Sequence, residues 1–274
     1  VHQSQQAISV AIQPQLDQPL HMARCLTLDP ERLTRAAPIG HPPRGQCLRH
    51  GSGIHPSQHQ NCSVQIVLGD RGNQTLLIEA NFRAPSIAPV LSMRNIADGS
   101  TWKSIAPNLA LSEVTQNSAD QLEEFMNRAT QEFEYIIIDI GSISGLSNRL
   151  TDRRWTSIVT TWCCDQADEL MIVSRADHLG HYRLTQVIAL IQQTSIRANL
   201  SFTQNMKSAG KRGDAEMARF LTATTALKPI RVRSLKEESR SVMAAEDEHA
   251  TLVETNERSN LRKAIAECAR EITS

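Results

Sequence analysis

Glu134-Tyr135-Ile136-Ile137-Ile138-Asp139-Ile140-Gly141 is the stretch that decides the fold. Residues 135–140 form an uninterrupted run dominated by β-branched isoleucine, which suits a strand buried on both faces. Strands of that kind belong to parallel sheets covered by helices on each side. The run carries an acid near its end, Asp139, and ligands of open α/β sheets lie beyond the carboxyl ends of the strands. Asp139 is therefore the first candidate functional residue.

Working outward, residues 118–133 place Leu122, Phe125, Met126 and Ala129 at helical spacing, with Ser118 as N-cap and Gln121 three residues on. Downstream, residues 154–166 read as a helix, 169–174 as a second buried strand and 179–193 as an amphipathic helix. A strand over 199–203, a helix over 214–226, a strand over 229–232 and a closing helix over 256–271 follow. Upstream, residues 63–68 and 74–80 are short apolar runs of strand character. Strand and helix alternating at this spacing predict an α/β fold with a doubly wound, mainly parallel sheet.

The beginning of the chain reads differently. Six of the nine histidines (His2, His21, His41, His50, His55, His59) and Pro38, Pro42, Pro43 and Pro56 fall in the first sixty residues. Only residues 7–12 alternate in a strand-like way, and residues 36–61 show almost no apolar periodicity. The division this suggests is an irregular N-terminal arm or linker over 1–62 and an α/β domain over 63–274. Within the arm, Cys47-x-x-His50 and His59-x-x-Cys62 have zinc-type ligands and pair spacing, against strong competition from chance in a histidine-rich stretch.

Composition narrows the function classes. Twenty-nine basic side chains balance twenty-nine acidic ones, so no global field draws the 274-residue chain to nucleic acid or to an acidic membrane. No apolar run reaches the roughly 18 residues of a membrane span. Six scattered cysteines read as reduced thiols of a cytoplasmic protein, and 4% aromatic content gives little for stacking single-stranded bases.

Three strand ends carry candidate chemistry. The first reads Thr75-Leu76-Leu77-Ile78-Glu79-Ala80-Asn81-Phe82-Arg83-Ala84-Pro85-Ser86, and the second is the opening stretch. The third reads Ala167-Asp168-Glu169-Leu170-Met171-Ile172-Val173-Ser174-Arg175-Ala176-Asp177. In this order they resemble the MinD/ParA family of deviant-Walker ATPases, most of all the MinD-like proteins of septum placement, chromosome partitioning and pilus assembly. There the first strand usually ends Asp-x-Asp-x-Arg and the second is a Walker B strand ending in Asp. The resemblance implies a P-loop NTPase-like fold, with ATP and Mg²⁺ as cofactors. It implies that Asp139 holds Mg²⁺ through water and helps position the attacking water. It implies that Asn205 reads the adenine edge, and that Glu79 keeps one carboxylate where the family favours two aspartates. It further implies a homodimer that engages a membrane, DNA or a partner protein.

The departures from the family point the other way. A phosphate loop needs glycines for close backbone approach and a lysine against the phosphates. The candidate is Leu68-Gly69-Asp70-Arg71-Gly72-Asn73-Gln74-Thr75, which makes Gly69, Gly72 and Thr75 the candidate nucleotide contacts but contains no lysine. Six residues separate Leu68 from Thr75, whereas parallel neighbours need a crossover of about a dozen. Residues 69–73 accordingly read as a tight turn, which either makes residues 63–68 and 74–80 a β-hairpin or leaves the first of these strands outside the sheet.

The leading expectation is a degenerate MinD/ParA-like protein of spatial organisation, binding ATP weakly or not at all. It would be cytoplasmic, with a protein partner and a possible homodimer, while net charge lends no support to DNA or membrane contact. The alternatives are an active ATPase whose loop is supplied elsewhere and an unrelated doubly wound protein-binding module. Lys207, Lys211 and Arg212, with Gly210 and Gly213, read as a small basic loop, for which solvation is favoured over contact with DNA or another polymer.

Overall fold

A computed structural model describes residues 7–12, 72–83, 85, 87–90, 96–143, 146, 151–248, 252, 256 and 258–272. Eight strands form one sheet in the order β3-β4-β2-β5-β1-β6-β7-β8. They are β1 (Ala7–Ile12), β2 (Thr75–Glu79), β3 (Lys103–Ala106), β4 (Leu109–Glu113), β5 (Tyr135–Gly141), β6 (Glu169–Arg175), β7 (Asn199–Lys207) and β8 (Arg231–Lys236). All pairings are parallel except β3 with β4. The mainly parallel α/β sheet read from the sequence is therefore the observed one.

The helices are a single turn α1 (Ile87–Val90), then α2 (Leu122–Glu132), α3 (Trp155–Gln166), α4 (His178–Gln193), α5 (Gly210–Thr224), α6 (Ser239–Asp247) and α7 (Asn260–Ile272). Because side chains alternate along a strand, β2 and β5 feed two cores at once. Leu76, Ile78, Ile136, Ile138 and Ile140 join Phe125 of α2, Val159 of α3, Leu184 of α4 and Phe220 of α5. On the opposite parity, Ile137 joins Ala245 of α6 and Leu261, Ile265 and Cys268 of α7, while Leu77 packs with Leu111, Ile87 and Ile96. Helices thus cover both faces, as continuous apolar strands require.

Three expectations are corrected. Ala7–Ile12 does not belong to an arm: it pairs in parallel with both β5 and β6, near the middle of the sheet. The expected boundary after residue 62 therefore fails for these six residues. Of the two paths expected before β2, the hairpin fails, since a strand has two edges and those of β2 are taken by β4 and β5. Residues 63–68 themselves lie outside the described residues, as do Cys47, His50, His59 and Cys62. Finally, the stretch read as a basic loop is mostly helix, because α5 starts at Gly210, four residues before the expected position.

Smaller differences have local causes. Ser118 does not cap α2; its hydroxyl accepts from Thr115 N–H at 2.9 Å, and a 3₁₀ turn over Ala119–Gln121 leads into the helix. The last strand starts at Arg231 rather than at Pro229, which has no N–H to give a ladder, and follows a left-handed Lys228 (φ 48°).

Candidate functional site

Parallel pairing brings the carboxyl ends of β1, β2, β5, β6, β7 and β8 to one rim of the sheet. The strand order turns about β1: the chain leaves it toward β2 on one side and later builds β6, β7 and β8 on the other. Such a reversal is where open α/β sheets place their ligands.

At this rim Glu79 and Asp139 are register partners on neighbouring strands. Both are buried, at 3% and 1% exposure, so neither is solvated by bulk water. Both are also bonded to the chain that follows them. Glu79 accepts from Asn81 N–H at 3.2 Å through Oε1 and from Ile87 N–H at 2.9 Å through Oε2. Asp139 accepts from Gly141 N–H at 2.9 Å through Oδ1. A carboxylate holding two backbone N–H groups closes a loop as well as any cap does. Gly141 is in the left-handed region (φ 61°), and a Cβ added there would overlap the Asn81 side-chain amide. Only glycine allows the ends of β2 and β5 to approach this closely.

Beside these ends is a small cavity of about 170 Å³, lined among others by Asn81, Arg83, Ser142, Arg154 and Ser157. Of its two arginines, Arg154 is engaged with Asp152: Nε and Nη2 reach the carboxylate, the latter at 2.6 Å. Asp152 also accepts from Ser157 Oγ at 2.6 Å and from Arg154 N–H at 3.0 Å. The Arg154 side chain, then Ser157 and the Arg154 N–H, hold the Asp152 carboxyl far below the usual range. This group anchors the start of α3.

The remaining residues singled out by sequence are divided between this rim and the opposite edge of the sheet. Thr75 begins β2 and Gly72 (φ 89°) precedes it, so both sit at the amino end of the strand. They are one strand length from Glu79, roughly 13 Å at the usual rise per residue. Thr75 Oγ1 donates to Asn73 O at 3.0 Å. The phosphate contacts expected there are therefore not brought to the acids, and Gly69 lies outside the described residues. Asn205 does lie on the acidic residues' rim. It is buried, it is level with Arg175 of β6, and its Oδ1 accepts from Met206 N–H at 2.6 Å. From β5 to β7 is three strand spacings, roughly 14 Å.

Sequence reasoning missed a second cavity on the rim. It measures about 720 Å³ and lies where β7 and β8 end, between Lys207, Ser208, Gly210, Lys236 and Arg240. Its signal in the sequence was Lys207-Ser208-Ala209-Gly210-Lys211-Arg212-Gly213, a glycine- and lysine-bearing turn directly after a strand. Among the described residues, no three His, Cys, Asp or Glu side chains converge as metal ligands. No helix among them is long and apolar enough to cross a membrane.

No protein-family model matches this sequence, and no curated protein does. Solved structures do. A ParA family ATPase from Chlorobium tepidum superposes with a TM-score of 0.61 at 14% identity, over 77% of this chain and 91% of that one. MinD in the MinC:MinD cell division complex of Aquifex aeolicus gives a TM-score of 0.60 at 15% identity, over 81% of this chain and 92% of that one. A putative plasmid partition protein from Borrelia burgdorferi, bound to AMPPNP, gives 0.56 at 14% identity over 98% of each chain. At such identities the likeness is one of fold.

Proposed function

We propose that this chain, which has the MinD/ParA fold, is a degenerate member of that group, acting in spatial organisation through a protein partner and binding ATP with Mg²⁺ weakly or not at all. The Borrelia partition protein of this fold was solved with AMPPNP, so a nucleotide is the ligand to test first. One observation carries the degenerate reading. β1 is the strand beside β5 from which a phosphate loop of this fold would spring, and the sequence after it does not suit one. No glycine occurs between Ile12 and Gly40, and no lysine precedes Lys103. A phosphate cradle needs both, the glycines for close approach and the lysine for charge.

The acids support the same reading. Glu79 spends both carboxylate oxygens on backbone N–H groups, and Asp139 spends one on Gly141. These residues fit poorly as a seat for a hydrated Mg²⁺, which takes one or two carboxylates plus phosphate oxygens. No hydrolytic step follows from their geometry. Partner binding is the role left to the fold, with MinD in its MinC complex as the precedent among proteins of this shape.

The test is equilibrium binding of fluorescent ATP with Mg²⁺ to the full chain and to Asp139→Ala. The expected result is a dissociation constant weaker than about 100 μM, on the affinity scale where each tenfold is about 1.4 kcal/mol. Micromolar binding that disappears in Asp139→Ala would overturn the reading and favour an active ATPase.

A further inference from the structure

We propose that the cavity at the carboxyl ends of β7 and β8 is a binding site for a phosphate-bearing small molecule, gripped by Lys207, Lys236 and Arg240. The inference is independent of the reading above, because it concerns a different part of the rim and needs no ATP at Asp139.

The cavity and its cations carry it. Lys207 and Lys236 are register partners at the ends of adjacent parallel strands, so two ammonium stems leave the sheet side by side. Like charges placed directly opposite one another repel, and an anion between them removes the cost. Lys236 and Arg240 make no ion pair among the described residues. Lys207 has one, a long 3.4 Å contact with the largely exposed Asp214.

The three acids of the lining, Asp214, Glu237 and Glu238, each have a partner, Asp214 being the contact of Lys207 just described. Glu238 is turned toward the start of α7, accepting from Ser259 Oγ, from Leu261 N–H at 3.1 Å and from Asn260 N–H at 3.3 Å. Glu237 accepts from Ser239 Oγ at 3.0 Å. Glu216, buried beneath the turn and outside the lining, takes Ser208 N–H and Oγ together with Arg212 Nε. Lys236 and Arg240 line the cavity and are exposed.

The backbone agrees. Met206 has φ 58° and the β7–β8 register slips between Gln204 and Lys207, so a bulge re-aims the strand at its last residue. Gly210 has φ 63° with nothing within 4 Å of where a Cβ would stand, so a ligand oxygen has clear access to the backbone there. Three residues on, a Cβ at Gly213 would overlap the Ser208 carbonyl, which is why α5 can pack against the end of β7. One glycine for ligand approach and a later one for helix–strand packing is the division of labour in dinucleotide-binding turns. The cavity, at about 720 Å³, falls within the range of ordinary small-molecule sites.

Titration calorimetry with inorganic pyrophosphate tests this, on the full chain, on Lys207→Ala/Lys236→Ala and on Asp139→Ala. Circular dichroism and the thermal midpoint check the fold of each variant. The expected result is saturable binding to the unmodified chain, weakened at least about tenfold in the double lysine variant and unchanged in Asp139→Ala. Should the double variant misfold, Arg240→Gln, at an exposed position, is expected to weaken binding several-fold by itself. Ribose 5-phosphate and ATP without Mg²⁺ as further titrants distinguish the bare phosphate from a sugar phosphate or nucleotide, and tighter binding of either supports the site. No saturable pyrophosphate binding, or binding that survives both cation variants, overturns it. Loss in Asp139→Ala moves the phosphate to the other end of the rim and also overturns it.

Discussion

The two ends of one sheet rim differ in how their charges are used. Around β2 and β5 the acids are buried and bonded to the chain beside them, and the space left over is small. Around β7 and β8 the space is several times larger, and of its three cations Lys236 and Arg240 join no ion pair among the described residues. Buried polar groups are retained only when satisfied, so the first end is built as a joint. Exposed unpaired cations around a concavity contribute little to folding, so the second end is free to serve a ligand. The difference teaches that an acid at a strand end marks the right rim without marking the ligand.

The comparison breaks most visibly at Gly141. Gly141→Ala forces a side chain into the left-handed region and against the Asn81 amide. The expected cost is about 2–4 kcal/mol of folding stability, from the backbone penalty plus overpacking. Urea unfolding followed by circular dichroism measures it. A loss below about 0.5 kcal/mol would mean that β2 and β5 are not locked together as described, and would return Asp139 to candidacy as an open site.

How much of this was legible in the sequence follows from which forces act locally. Residues 135–140 were readable because burial on both faces leaves a run that is apolar but for Asp139, and β5 adds only Gly141 to them. Residues 169–174 were readable for the same reason. Ala7–Ile12 also showed its alternation, yet its central place depends on pairing with strands more than a hundred residues away, which no local pattern reports. The β3–β4 hairpin passed unnoticed, since Lys103–Ala106 is an exposed edge strand without an apolar signature. The site divided in the same way. Asp139 and Asn205 fell on the rim because strand ends are visible in sequence. Gly72 and Thr75 fell on the opposite edge because a glycine-rich turn looks alike at either end of a strand. The Lys207–Lys236 pair was illegible, because it is created by the register of two strands.

A middle-sized effect sharpens the comparison by separating the structural acid of the second end from its cations. Burial alone would raise the Glu238 carboxyl, but hydrogen bonds from Ser259 Oγ and from the Leu261 and Asn260 N–H groups outweigh it and lower its pKa. Glu216 is lowered likewise, against burial, by Ser208 and Arg212. A depressed folded value means that the charged form stabilises the fold. That stability is complete above the ordinary value of 4.5 and is lost as pH falls through the folded values. Thermal midpoints are thus expected to drop between about pH 5 and pH 3. Glu238→Gln should cost about 1 kcal/mol at pH 7 as a weakened cap of α7, and should flatten part of the acid drop. An unchanged acid profile in Glu238→Gln would show that the cap is not charge-dependent.

The smallest effect is the most discriminating. Lys236 is exposed, joins no ion pair among the described residues and faces Lys207 across the register. Removing it deletes a repulsion and little packing, so Lys236→Ala is expected within about 0.5 kcal/mol of the unmodified chain in urea unfolding at pH 7. The sign should be neutral or slightly stabilising at low salt, and the difference should vanish at about 1 M salt, where screening shortens the reach of charge to about 3 Å. A loss above about 1 kcal/mol would give Lys236 a structural partner and make the second end a joint like the first. Retained stability leaves a charge that the fold does not use, lining a cavity of about 720 Å³ on the rim.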